Sequence, residues 1–163
     1  MTTILCNYLG MTAGEIEALL ALEPEFLLAS PAGRRLISDT DMLVLQATFP
    51  EAQECMQAAL PQFYAWLRQS CSPIRIPASP DHAIEWVGDF LVGQQEIGDL
   101  LQSHMGLSSE LLSLAAPRMI AIFDTLSFGR EVWQRAMSLL CLVLLAAAQH
   151  EPMLANPTQR ADR

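Results

Sequence analysis

The stretch AMSLLCLVLLAAA, residues 136–148, runs for thirteen residues without a charge and almost without a polar group. As a helix it spans roughly 20 Å, whereas crossing ~30 Å of bilayer hydrocarbon takes about 20 apolar residues. Arg130 and Arg135 precede it, and His150 and Glu151 follow it, so it does not extend into a membrane span. Leu139, Leu140, Leu142, Val143, Leu144 and Leu145 cover every face of such a helix. A helix that is apolar all round is buried all round. The stretch therefore predicts a central helix wrapped by amphipathic ones. The rival reading leaves one of its faces to a second copy of the chain, as a homodimer, or to another protein.

The rest of the chain has the means to wrap it. Its 163 residues suit one domain, and 52% hydrophobic against 17% charged residues is the balance of a chain that folds. Thr12 and Glu15 have the spacing of a capping box, which starts a helix at Ala13. Pro24 ends that helix and opens a short second one. Residues 41–49, DMLVLQATF, suit a helix or a strand by periodicity, with helix the preferred reading. Pro50 suits the first position of a further helix, and Pro61 breaks or kinks it. The loop SCSPIRIPASPD excludes a helix and marks a candidate hinge at 70–80. Helical patterns follow over 81–106, with Gly88, Gly93 and Gly98 inside; over 107–129, with Pro117 inside; and from Arg130 onward.

The expectation is an all-α, compact single-domain bundle of about six or seven helices with proline-marked breaks. It covers residues 1–150, with 151–163 as a flexible C-terminal tail. The alternative is an α+β fold with a small sheet from residues 2–9, 42–48 and 73–77, where β-compatible types concentrate.

Nine arginines and no lysine give a chain of net charge −9. Without lysine there is no P-loop lysine, no lysine Schiff base and no lysine general base. Residues 81–110 hold Asp81, Glu85, Asp89, Glu96, Asp99 and Glu110, with no arginine between Arg75 and Arg118. That block repels phosphate backbones, so nucleic acid is disfavoured as a partner, and it attracts a basic protein surface. The plain alternative is a solvated helix face that keeps an apolar protein in solution.

Chemistry finds little to stand on. His82, Glu85 and Asp89 share one helix face and resemble half of a carboxylate–imidazole metal site, but no second helix offers a matching Glu-x-x-His. An exposed polar face explains them as well. His104 at a helix end is compatible with a haem ligand, and equally with a favourable dipole contact. There is no GxSxG, and Cys71 has only His82 as a conceivable partner. Cys6, Cys55, Cys71 and Cys141 show no zinc spacing, and Cys55 and Cys141 read as small core residues. The aromatic residues Phe63, Trp66, Phe123, Phe128 and Trp133 are spaced as core or interface anchors.

The sequence thus predicts no catalytic constellation, no metal and no cofactor. The N-terminus lacks a basic region followed by a long apolar one, which predicts no secretory signal and a reducing cytoplasm. Arginine without lysine is read as the mark of a GC-rich bacterial genome. The leading expectation is a non-enzymatic bacterial cytoplasmic interaction protein: a dedicated chaperone, an adaptor or a neutralising partner. It would bind a basic protein through Glu85, Trp86, Asp89, Phe90, Glu96 and Asp99, an apolar anchor within a charged rim. The alternative is a small-molecule or cofactor binder with a pocket between helices near Gly88 and Gly93.

Overall fold

A computed structural model describes residues 2–23, 26–27, 36–70 and 109–161 of the chain. Over these residues it is all-α, with five helices and no strand: α1 Thr2–Leu9, α2 Ala13–Leu20, α3 Asp39–Ser70, α4 Ser109–Ala121 and α5 Arg130–Ala161. The bundle of six or seven helices expected from the sequence is a finer statement than these residues make.

The sheet alternative is overturned in two of its three segments. Residues 2–9 form α1 and residues 42–48 lie inside α3; residues 73–77 lie outside the described residues. In α1, Leu5 and Leu9 are buried one turn apart while Asn7 and Tyr8 face solvent. That is helical spacing, and a β-compatible composition does not outweigh it when no strand is there to pair with. The helix closes at Gly10, whose φ of +65° turns the chain while its N–H and that of Met11 both reach the Cys6 carbonyl. The next helix starts where the sequence puts it. Thr12 Oγ1 accepts from the Glu15 N–H, and Glu15 Oε1 accepts from the Thr12 N–H, which completes the capping box.

The helix α3 is longer than the prolines predict. It passes through Pro50 and Pro61 without a break and begins eleven residues before Pro50, at Asp39. Ser38 and Asp41 cap that start reciprocally: Ser38 Oγ accepts from the Asp41 N–H, and Asp41 Oδ2 from the Ser38 N–H. Leu45, Thr48, Ala52, Met56, Leu60, Tyr64 and Leu67 are buried at three- and four-residue intervals along its whole length. Both prolines fall off this stripe and are exposed. Each interior proline costs about 3 kcal/mol. Burying five large side chains at about 1.5–3 kcal/mol each outweighs the pair.

The helix α5 is the one the others share: α1, α2, α3 and α4 all pack against it. Cys141, Leu142, Val143, Leu144, Leu145 and Ala146 are buried in unbroken succession, which only a helix covered on every side allows. Arg130–Gln149 is long and apolar enough to cross a membrane, yet 61% of its most apolar window is buried inside the protein. The thirteen-residue stretch is therefore core. Beyond it the helix continues to Ala161, where the sequence predicts a frayed tail. Once a packed segment has nucleated a helix, further residues add cheaply.

Side-chain contacts tie α3 to the α4–α5 turn and to α4. The Arg118 guanidinium lies 4.3 Å over the Trp66 ring and joins α4 to α3. Gly129, at φ +76°, precedes α5 and lets α3 come close: a Cβ there would lie 3.1 Å from Val44 Cγ1 and 3.3 Å from Thr48 Oγ1. Gly129→Ala therefore combines a strained backbone with overpacking and is expected to cost about 2–3 kcal/mol. Gly10→Ala, with open space around it, is expected to cost only the backbone share, about 1 kcal/mol. Urea melts of the two variants check this, and equal losses would show that the approach of Val44 and Thr48 carries no weight.

Candidate functional site

The richest polar arrangement among the described residues lies where α3 crosses the first turns of α5. Trp133 is buried, and its ring stacks with Phe123 at 5.1 Å and with Phe49 at 6.3 Å. Its Nε1 donates to Thr48 Oγ1 at 2.8 Å, and the Thr48 hydroxyl donates onward to the Val44 carbonyl at 2.6 Å. Beside it, Arg135 Nη1 meets Asp41 Oδ2 at 2.8 Å. That carboxylate therefore serves both the α3 cap and an ion pair to α5. Gln134 Nε2 donates to Asp124 Oδ1, and Arg130 Nη1 to the Asp124 carbonyl, which fastens the turn before α5 to its first residues.

These groups are matched to one another, and the match argues for architecture. The Thr48 hydroxyl has its donor and its acceptor filled, and the Ser138 hydroxyl, fully buried, donates to the Gln134 carbonyl. The buried groups that titrate are pushed away from reactivity. Burial raises the Cys141 thiol to about 12, the opposite of what a thiolate nucleophile needs. Burial also raises the Tyr64 phenol to about 12 against the nearby Arg68 charge, which pulls it down. Among the described residues no three of His, Cys, Asp and Glu come together as metal ligands.

The residues that the sequence puts forward for partner binding, Glu85, Trp86, Asp89, Phe90, Glu96 and Asp99, lie outside the described residues. So do His82, Cys71, His104, Gly88 and Gly93. The aromatic anchors within them divide. Phe123 and Trp133 are core, Phe63 and Trp66 are half-buried against it, and Phe128 is 66% exposed.

Phe128 has an apolar companion that the sequence reading passed over. Leu43, also 66% exposed, sits on α3 next to Val44, which in turn faces Gly129, the neighbour of Phe128. The signal for Leu43 was its register. It lies off the buried stripe of Leu45, Thr48 and Ala52, but that stripe becomes legible only once the helix over 41–49 is known to run on through Pro50.

No protein-family model, no curated protein and no solved structure matches the chain.

Proposed function

We propose that the protein is a non-enzymatic interaction protein of a bacterial cytoplasm, a dedicated chaperone, adaptor or neutralising partner that takes a protein with a basic surface. The observation that carries this reading is uncompensated negative charge. The block at 81–110 has six carboxylates and no arginine. Outside that block the described side chains add Arg68, Arg118, Arg130 and Arg135 against nine Asp and Glu. Three of those four arginines are already engaged: Arg118 on Trp66, Arg130 on the Asp124 carbonyl and Arg135 on Asp41. Only Arg135 is paired with a carboxylate, and carboxylates still outnumber arginines among the described side chains. Such an excess speeds encounter with a basic partner and rejects acidic ones.

Reversing Glu85 and Asp89 to Lys is expected to lower capture of basic proteins from host extract on the order of tenfold at low salt, with the far-ultraviolet circular dichroism spectrum unchanged. Native mass spectrometry of the gently purified protein identifies what is held. Undiminished capture by the folded reversal variant counts against the reading.

A further inference from the structure

We propose that Met119 is an oxidation site that couples the surface to the core: a peroxide turns its thioether into a sulfoxide, and the last turn of α4 loosens. Met119 is half-buried on α4 and packs against the core cluster. Its Sδ accepts from the Cys141 thiol at 3.9 Å, within the unbroken run of buried residues on α5. The two sulfurs differ in what they can do. Cys141 is fully buried, and burial pushes its thiol up to about 12, so at neutral pH it offers a peroxide almost no thiolate. A thioether has no proton to lose, and its reaction does not wait on ionisation. The residue of the pair that solvent reaches is thus the reactive one, and the residue it touches is core. In the step itself the Met119 sulfur is oxidised by two electrons. The peroxide O–O bond breaks, one oxygen forms the S=O bond and the other leaves as water.

The helix is weak where Met119 sits. Pro117, two residues earlier, has no N–H to give the Ser113 carbonyl, so the backbone ladder of α4 loses a rung there. After Met119 only Ile120 and Ala121 remain in the helix. Side chains therefore hold this turn as much as its backbone does: Arg118 over Trp66, Met119 on Cys141 and Ile120 in the core. A sulfoxide is polar. Kept against the core it carries the cost of burying a polar group, and turned to solvent it draws Met119 off the cluster. Either way the packing of Met119 on Cys141 is given up. The turn that follows sets Phe123 against Trp133 and Asp124 onto Gln134 and Arg130, so a loosened end of α4 is felt at the start of α5. The other described methionines differ. Met56 and Met137 are buried, and the half-buried Met11 and Met42 have no proline within a helical turn of them.

The sequence places a reporter at the spot. Trypsin cuts after arginine, and the exposed Arg118 immediately precedes Met119. A helical bond is cut only when the helix opens, so the rate of that cut follows the open population. The full chain is treated with hydrogen peroxide, peptide mass mapping locates the added oxygen, and the rate of cleavage between Arg118 and Met119 is followed. Each rate is divided by that of a synthetic peptide of residues 112–125 with the same residue at 119, which removes any preference of trypsin itself. In the wild type, oxygen added at Met119 is expected to raise the relative rate about tenfold. Met119→Leu, which keeps the apolar contact and has no sulfur, is expected to be cut at one rate with and without peroxide. Met119→Gln, polar and of similar length, is expected to be cut as fast as the oxidised wild type with no peroxide at all. Three results overturn the proposal: a treated wild type with no oxygen at Met119, an oxidised Met119 with an unchanged rate, or an equal rise in treated Met119→Leu, which would put the effect at another residue such as Cys55.

Discussion

Trp133→Ala is expected to remove about 3–5 kcal/mol of stability, a large share of the roughly 5–15 kcal/mol of an ordinary domain. Three losses coincide at this residue. A large buried indole leaves a site lined by Phe123 and Phe49. The cavity stays because α3 and the turn before α5 are held in place by Gly129, Asp124 and Arg135. The Thr48 hydroxyl also loses the donor that it accepts from. Urea melts followed by circular dichroism measure the sum. Thr48→Val isolates the hydrogen bond, since it strands a buried indole N–H at a cost of about 1–3 kcal/mol. In the Trp133→Phe background the same change should cost about 1 kcal/mol less, because no N–H is left to strand. Equal costs in the two backgrounds would show that the bond contributes nothing.

The second large effect is alkaline. Tyr64 titrates near 10 in an unfolded chain and near 12 in the fold; Cys141 titrates near 9 unfolded and near 12 folded. In both cases burial disfavours the anion, and for Tyr64 the Arg68 charge offsets only part of this. Folding therefore binds these protons more tightly than the unfolded chain does. The associated stability is fully present below pH 9, declines as pH rises past 9 for Cys141 and past 10 for Tyr64, and is gone for both above about 12. The shifts correspond to about 4 kcal/mol for the thiol and about 3 kcal/mol for the phenol. Together they match the stability of a domain at the low end of the ordinary range by about pH 12. Circular dichroism from pH 9 to 12 should show a cooperative loss of helix. Cys141→Ala should delay the onset of the decline by about one pH unit, although the variant starts less stable at pH 7. A transition with the same onset in Cys141→Ala and Tyr64→Phe would show that neither group drives it.

What the sequence made legible, and what it hid, follows from how local each signal is. The capping box at Thr12, the start of α5 at Arg130, Pro117 inside a helix and the burial of residues 141–146 could all be read directly, because each is decided by a few residues in succession. The course of α3 could not. Pro50 and Pro61 signal breaks in any short window, and only the stripe from Leu45 to Leu67, packed against helices distant in the sequence, shows that the helix continues. In α1, β-compatible types at Thr2, Thr3, Ile4 and Tyr8 hid an amphipathic turn that depends on α5 for its partner. For the candidate site, Phe128 was legible as an aromatic anchor, while the acidic residues read at 81–99 lie outside the described residues. Leu43 was not legible, since its place off the buried stripe shows only once the helix over 41–49 is known to run on through Pro50.

The helix that completes this core is made more than a hundred residues after the N-terminal helices that it covers. The helices α1 and α2 lie against α5, with Leu5, Ile16 and Leu19 buried in the same cluster as Leu142 and Leu145. At about 5–20 residues per second, roughly 6–25 s separate the synthesis of the N-terminal helices from that of residue 146. Throughout that interval the early apolar faces have no permanent cover, and every message cut short before Arg130 yields a fragment that lacks its own centre. The core of the described residues cannot close before α5 is made, and long-range closure of this kind is slow for a helical chain. A cell that makes this protein must protect the early apolar faces throughout that interval.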